Sequence, residues 1–327
     1  MLYKSDISEE KIPAMMSDLT DWYDGYLFAT DTTTRLFNPD MVLYFLQQYS
    51  IQGKYPQTML DTNVASDYSK IKNIFKMGGE ETARFALLEG LIQNGYIDFS
   101  LTELYNLDLD FTEDNFLSLL FYMGMLRLQE EKSSDWRFVI PNYVIKKLYF
   151  EYFTAIFLAK TRFAKSHHPI TQTIDALVND ANPELFFKLV EYVLQENHSN
   201  RDEMVYGEKH LQTLMIGLLV PYKAFKIHSE PESKRQYPDI FLSRVTDRKM
   251  NYEVVLELKY VKKTAKDKLT KTVNKTGKEK LAAVVEEAET QLDGYMKTER
   301  FSRPDVRGFY VVFFGGEVYK WGEWGKY

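Results

Sequence analysis

The chain has 327 residues, no cysteine and a formal net charge of −6. The lack of cysteine excludes disulfides, thiolate zinc sites and a cysteine nucleophile, and it fits a reducing cytoplasm. Hydrophobic residues make up 45% of the chain, so we expect well-packed cores, and the length predicts two or three domains. The longest apolar runs, such as Phe116 to Met125, are too short to cross a bilayer, so we expect no membrane partner.

Charge is distributed unevenly along the chain. Residues 1–200 hold 17 Lys and Arg against 28 Asp and Glu, whereas residues 201–327 hold 24 against 19. A local basic excess favours contact with nucleic acid even when the whole protein is acidic. We therefore expect nucleic-acid chemistry in the C-terminal part and regard the acidic N-terminal part as a candidate surface for a protein partner.

The first two hundred residues are predicted to be mainly helical. Residues 1–75 show helices separated by loops, and Pro39 opens an apolar run suited to a buried helix. Residues 76–150 contain helical runs followed by a two-stranded ribbon, an arrangement that resembles a winged helix. Residues 151–200 are predicted to form a helical connector.

A winged helix could bind DNA, but this unit has an acidic stretch, which favours packing or protein contact. The acidic residues are Asp108, Asp110, Glu113 and Asp114.

Residues 201–327 are predicted to form a mixed α/β domain. The predicted order is helix 208–220, strands 222–229, 237–245 and 251–260, loop 261–278, helix 279–297, and strands 308–314 and 317–322. The loop is rich in lysine, and it is either a solvated linker or a flap that contacts phosphates. Its lysines are Lys262, Lys263, Lys266, Lys268, Lys271, Lys275 and Lys278.

Three charged residues of this domain suggest a site. Glu257 and Lys259 project to the same side of one strand, because side chains alternate along a strand. Asp239 opens the preceding apolar strand, 18 residues earlier. Two carboxylates beside an ammonium suit metal-assisted phosphodiester hydrolysis. The alternative is a solvated strand face, but Val254 to Leu256 make the strand too apolar for a sheet edge.

Asp239 and Glu257-Leu258-Lys259 resemble the core motif of the PD-(D/E)XK nuclease superfamily. Neighbouring segments fit the same resemblance: Tyr206–His210, Ser229–Glu232, and Ala288–Tyr295 with its glutamine. More narrowly, the chain resembles proteins of Bacteroidota that join an AAA-ATPase-like domain to such a nuclease domain.

The N-terminal part of that narrower resemblance rests on Asp21–Phe28 and Leu36–Asp40. These segments resemble the region that follows the nucleotide-binding core of the ATPase-like family. No G-x-x-x-x-G-K-[S/T] motif occurs in the sequence, so residues 1–75 are interpreted as the remnant of an ATPase-like domain without ATP hydrolysis.

The resemblance implies a restriction-endonuclease-like core with a mixed sheet flanked by helices. It implies hydrolysis of phosphodiester bonds in DNA, more than in RNA, with Mg²⁺ or Mn²⁺ as cofactor. Asp239, Glu257 and the carbonyl of Leu258 would hold the metal, and Lys259 would position or deprotonate the attacking water.

Glu208 and Gln291 would assist by their place in the resembled fold. Taken alone, Glu208 is a favourable acidic residue at a helix start, and Asp202 and Glu203 compete with it. Gln291 alone would be a polar residue of an amphipathic helix. The competing function is an inactive nuclease fold that serves as a nucleic-acid or protein interaction module.

Overall fold

The computed structural model divides the chain into two compact units, residues 1–152 and 153–327. It describes residues 8–29, 32–60, 81–102, 112–131, 135–159, 161–163, 168–198, 207–229, 237–245, 248–263 and 275–326. The boundaries predicted at 75, 150 and 200 stay predictions. Within the described ranges, no helix is long and apolar enough to span a membrane.

The first unit begins with the short 3₁₀ turn Glu9–Lys11 and continues mainly with helices. Its helices are α1 (Ile12–Tyr23), α2 (Pro39–Gln52), α3 (Glu81–Asn94) and α4 (Glu113–Tyr122), and α5 (Tyr143–Leu158) runs across the boundary at residue 152 into the second unit. Helix α2 begins at the predicted proline, where the side chain of Asn38 accepts a hydrogen bond from the backbone N–H of Met41 at 3.2 Å.

The described part of the first unit has a three-stranded sheet, one strand more than the two-stranded ribbon that the sequence predicts. Strands β1 (Ile97–Phe99), β2 (Arg127–Glu131) and β3 (Trp136–Val139) form an antiparallel sheet in the order β1-β3-β2. The extra strand β1 is only three residues long, too short for a periodic pattern in the sequence. The winged-helix interpretation of this region stays a prediction.

Of the four acidic residues in the predicted acidic stretch, two can be placed. Glu113 and Asp114 lie in the first turn of helix α4, whose N-terminus is capped reciprocally by Thr112 and Asn115. Both carboxylates therefore interact favourably with the positive end of the helix dipole. Asp108 and Asp110 lie outside the described residues.

Among its described residues, the second unit contains the end of α5, four further helices and a five-stranded sheet. The helices are α6 (His168–Asn179), α7 (Glu184–His198), α8 (Glu208–Leu219) and α9 (Lys275–Met296). The strands are β4 (Phe225–His228), β5 (Ile240–Arg244), β6 (Glu253–Val261), β7 (Val306–Phe314) and β8 (Glu317–Glu323). Helix α6 begins at His168, one residue before Pro169, because proline suits a first helical turn.

The strands follow one another in space in chain order, β4-β5-β6-β7-β8. Only β6 and β7 are parallel, and the other neighbours are antiparallel. A parallel pair requires a crossover connection, and α9 lies in the segment between these two strands. The sheet is therefore mixed and flanked by helices, as the sequence predicts.

Helix α9 packs on the sheet through one apolar stripe. Ala288, Leu292 and Met296 lie in one buried cluster with Val255 of β6 and Tyr310 of β7. This cover explains why β6 is apolar for most of its length: its residues from Glu253 to Lys259 are all buried.

Gly308 of β7 is a point of close approach between α9 and the sheet. A Cβ atom on Gly308 would lie 2.7 Å from the sulfur of Met296 and 3.1 Å from a methyl of Leu292. We expect Gly308→Val to lower the free energy of unfolding by about 2 kcal/mol, because its methyl groups overpack this contact. Urea denaturation followed by circular dichroism measures the effect.

Gly294 of α9 provides the control, since a Cβ atom there meets nothing within 4 Å. Gly294→Ala should raise the free energy of unfolding by about 0.5–1 kcal/mol through helix propensity. Equal stability of Gly308→Val and the wild type would contradict the tight contact between α9 and β7.

Candidate active site

The pairing of β5 with β6 brings Asp239 close to Glu257. Ile240 pairs with Leu256 and Phe241 with Val255, so the same register places Asp239 across from Glu257. Residues directly opposite in an antiparallel pair have Cβ atoms about 4.5–5.5 Å apart. Strand pairing thus brings together two carboxyl groups that are 18 residues apart in the sequence.

Two hydrogen bonds hold Asp239 in place. Its Oδ2 accepts a hydrogen bond from the backbone N–H of Leu258 at 2.7 Å, and its carbonyl oxygen accepts one from Nε2 of Gln212 at 2.7 Å. In a strand, the N–H and C=O of one residue point to the same side. The carbonyl of Leu258 therefore points toward the edge where the Asp239 carboxylate lies.

Lys259 is the centre of a cluster of carboxylates. Its Nζ lies 3.0 Å from Oε1 of Glu257, 3.8 Å from Oε1 of Glu208 and 3.8 Å from Oε1 of Glu287. Glu208 is the first residue of α8, so the structure brings it to the same ammonium as the strand residues. Asp202 and Glu203, its competitors in the sequence, lie outside the described residues.

Sequence reasoning missed Glu287. The signal was its spacing: Glu287, Gln291 and Tyr295 follow one another at intervals of four and therefore share one face of α9. Burial raises the pKa of the Tyr295 phenol, and the negative charges of Glu257 and Asp239 raise it further. This face of α9 thus lies toward the carboxylates.

The electrostatics of the cluster follow from burial. Glu257 is only 2% exposed, and this burial, with the charge of Asp239, raises its pKa to about 8. Burial alone would lower the pKa of Lys259, but the carboxylates of Glu257, Glu208 and Asp239 outweigh burial and raise it. Lys259 is therefore an ammonium at neutral pH.

Two buried oxygen atoms at the site lack hydrogen-bond partners among the described residues: Oε2 of Glu257 and Oε1 of Gln291. A buried polar atom without a partner is unfavourable unless a ligand or water satisfies it. The donor set here consists of hard oxygen atoms, which suit Mg²⁺ or Mn²⁺.

Within the described ranges, no three Asp, Glu, His or Cys side chains are grouped so that they could hold one ion. The residues fit a metal with two carboxylates, Asp239 and Glu257, and one backbone oxygen, that of Leu258. Mg²⁺ commonly keeps several waters and binds proteins through only one or two carboxylates.

The lysine-rich loop can be placed only in part, because residues 264–274 lie outside the described ones. Lys263 contacts the turn between β7 and β8: its Nζ lies 2.7 Å from Oε2 of Glu317 and 5.4 Å from the ring centre of Phe314. Lys278 is exposed near the start of α9. The phosphate-contacting flap stays a prediction.

His210, which the sequence predicts to be structural, is buried in α8 and packs edge-on against Phe157, with 5.4 Å between ring centres.

Comparison with known proteins agrees with this geometry. Residues 206–322 match the family described as the PD-(D/E)XK nuclease superfamily, and this range contains all six predicted site residues. No curated protein matches the chain. Residues 206–322 are therefore a PD-(D/E)XK nuclease superfamily domain. The match does not extend to residues 1–205, so the likeness to an AAA-ATPase-like fusion of Bacteroidota stays a hypothesis.

The raised pKa of Glu257 predicts how stability depends on pH. Between its ordinary value of 4.5 and about 8, the folded carboxyl keeps a proton that the unfolded chain has released. This stabilisation is complete below 4.5 and is lost as the pH rises through about 8. In EDTA, the free energy of unfolding of the wild type should therefore fall by about 5 kcal/mol over this window relative to Glu257→Gln.

Urea denaturation at a series of pH values measures this difference. Glu287→Gln is the matched control, because Glu287 touches the same ammonium but is 57% exposed, and it should keep the slope of the wild type. Identical pH slopes for the wild type and Glu257→Gln would show that the folded protein does not keep a proton on the Glu257 carboxyl in this pH range.

Proposed function

We propose that residues 201–327 hydrolyse phosphodiester bonds in DNA with the help of a divalent metal ion. The observation that carries this proposal is the cluster of Asp239, Glu257 and Lys259 inside a nuclease-superfamily domain, with Oε2 of Glu257 buried and lacking a partner among the described residues. The basic excess of residues 201–327 supports a nucleic-acid substrate.

Three groups of the chain would hold Mg²⁺ or Mn²⁺: the carboxylates of Asp239 and Glu257 and the carbonyl of Leu258. When bound, such an ion polarises the phosphate and offsets its charge. The hydrogen bond from the N–H of Leu258 to Oδ2 of Asp239 orients that carboxylate. Gln212 holds the backbone of the same residue from α8.

Lys259 acts as a cation. Since its pKa is raised, it keeps its proton at neutral pH, which favours positioning water and phosphate over deprotonating the water. An ammonium in a largely buried site donates hydrogen bonds to an oxygen that gains negative charge in the transition state. The hydrogen bond that Nζ donates to Oε1 of Glu257 at 3.0 Å keeps the ammonium on the face where both carboxyl groups lie.

Glu208 and Gln291 complete the site from the two helices. Glu208 holds the ammonium of Lys259 from α8, and Gln291 offers the unpartnered Oε1 as a hydrogen-bond acceptor for a water molecule. Glu287 shares the α9 face with Gln291, and its Oε1 lies 3.8 Å from Nζ of Lys259.

The remaining proposals concern the N-terminal part and the cellular location. The helix-strand-helix-strand-strand order of residues 81–139 supports a winged-helix-like unit, and its acidic composition supports contact with a protein partner. The absence of cysteine supports a cytoplasmic location.

Metal binding provides the first test of the proposed site. Asp239→Ala removes one of the two carboxylate ligands and should lower the affinity for Mn²⁺ by about tenfold or more in isothermal titration calorimetry. The control is Glu184→Ala, which removes a carboxylate that pairs with Lys188 on α7. Equal Mn²⁺ affinity in Asp239→Ala and the wild type would rule out this residue as a ligand.

Cleavage provides the second test. Lys259→Met should lower the single-turnover rate of DNA cleavage by about 10²–10³-fold, because it removes a charge that acts only on water and phosphate. Its Mn²⁺ affinity should stay close to that of the wild type, since Lys259 is not a ligand. The control is Lys188→Ala on α7. If the wild type cleaves neither DNA nor RNA with either metal, the interaction-module function replaces the nuclease.

A further inference from the structure

A small cleft lies beside Asp239. Its volume of about 30 Å³ admits only one or two water-sized groups, so a larger ligand must lie across its mouth. Six residues line it: His228, Tyr237, Pro238, Phe241, Arg300 and Phe301.

Both walls of the cleft connect directly to the candidate active site. On one wall, Pro238 is joined to Asp239, whose carbonyl is fixed by Gln212. On the other wall, Arg300 follows the turn that ends α9, where the N–H of Thr298 donates to the carbonyl of Tyr295 at 3.0 Å. The charges of Asp239 raise the pKa of that same Tyr295, so the second wall also begins beside the carboxylates.

The exposed guanidinium of Arg300 lies over two aromatic side chains of the protein. Its guanidinium carbon lies 5.2 Å from the ring centre of Phe241 and 5.3 Å from that of Phe301. Arg300 forms no ion pair with any described residue, whereas the nearby Arg303 pairs with Glu253. A guanidinium that lies over aromatic rings, without an ion pair to any described residue, is suited to bind a phosphate in bidentate fashion.

Tyr237 and His228 complete the surface. The side chain of Tyr237 is 40% exposed, so part of its ring is open to a ligand. His228 is fixed by two contacts: its Nε2 lies 2.7 Å from Oγ of Ser243, and its ring stacks on Phe241 at 5.5 Å. The cleft therefore combines one cation for a phosphate with one exposed aromatic ring for a sugar or base.

We propose that this cleft binds the substrate strand next to the scissile phosphodiester. Arg300 binds the neighbouring phosphate, and the ring of Tyr237 packs against the nucleotide attached to it. This inference rests on the proposed nuclease function and adds to it two positioning residues that hold the strand across Asp239. The small volume of the cleft excludes a base buried inside it.

Fluorescence anisotropy with a labelled single-stranded DNA oligonucleotide, in EDTA so that no cleavage occurs, tests the cleft. Arg300→Ala should weaken binding by about tenfold and reduce the slope of log K against log salt by about 0.7, the loss of one phosphate contact. Tyr237→Ala should weaken binding by about five- to tenfold without changing the salt slope, because stacking releases no counterions. Tyr237→Phe should bind like the wild type.

Lys188→Ala is the matched control, since it also removes one positive charge but lies on α7. All variants should keep the melting temperature and the Mn²⁺ affinity of the wild type, which separates loss of the cleft from damage to Asp239. In cleavage assays, Arg300→Ala and Tyr237→Ala should raise KM more than they lower kcat.

The outcomes separate the two proposals. If the wild type cleaves DNA but Arg300→Ala and Tyr237→Ala bind DNA as tightly as Lys188→Ala does, the proposed role of the cleft is wrong and the proposed nuclease function is kept. If the wild type cleaves nothing while both variants lose binding with their distinct salt slopes, the nuclease fails and the cleft stands as a nucleic-acid site. Absence of DNA binding by the wild type overturns the cleft.

Discussion

The second unit has to bury two ionisable side chains, a carboxyl and an ammonium, in the middle of a sheet. Glu257 and Lys259 lie on a strand whose apolar neighbours fill the core, and Glu257 is 2% exposed. An isolated buried charge is strongly unfavourable, so each of the two groups depends on the other and on the groups around them. The carboxyl groups of Glu257, Glu208 and Asp239 raise the pKa of Lys259, whereas burial and the charge of Asp239 raise the pKa of Glu257 to about 8. A buried pair of this kind is weak evidence for stability, which agrees with a role in the proposed reaction.

Helix α9 serves both the fold and the site. One stripe, with Ala288, Leu292 and Met296, covers the sheet, and the neighbouring stripe, with Glu287 and Gln291, lies toward the carboxylates. Because a parallel pair of strands requires a crossover, the helix that closes the core is also the element that can reach the ends of both strands. A shift of α9 along the sheet would change the packing and the position of Gln291 together.

Much of the second unit follows from its sequence. The order of its elements and the convergence of Asp239 with Glu257 could be predicted, because strand alternation and a continuous apolar run are local signals. Glu287 and the cleft of Arg300 and Tyr237 could not be predicted, since they depend on which face of α9 meets the sheet and on where the chain turns after Thr298. In the first unit, β1 could not be predicted, because three residues are too few to show an alternation of polar and apolar side chains. Only its pairing with β3 defines the strand.

The proton on Glu257 also has a thermodynamic consequence. With a pKa of about 8, this carboxyl is mostly protonated in the metal-free protein at neutral pH, and a carboxylate must lose its proton to ligate a cation. Loading the site would therefore release close to one proton per protein molecule near neutrality. Under the proposed function, the heat of metal binding then varies with the ionisation enthalpy of the buffer, because binding of the ion is coupled to release of this proton.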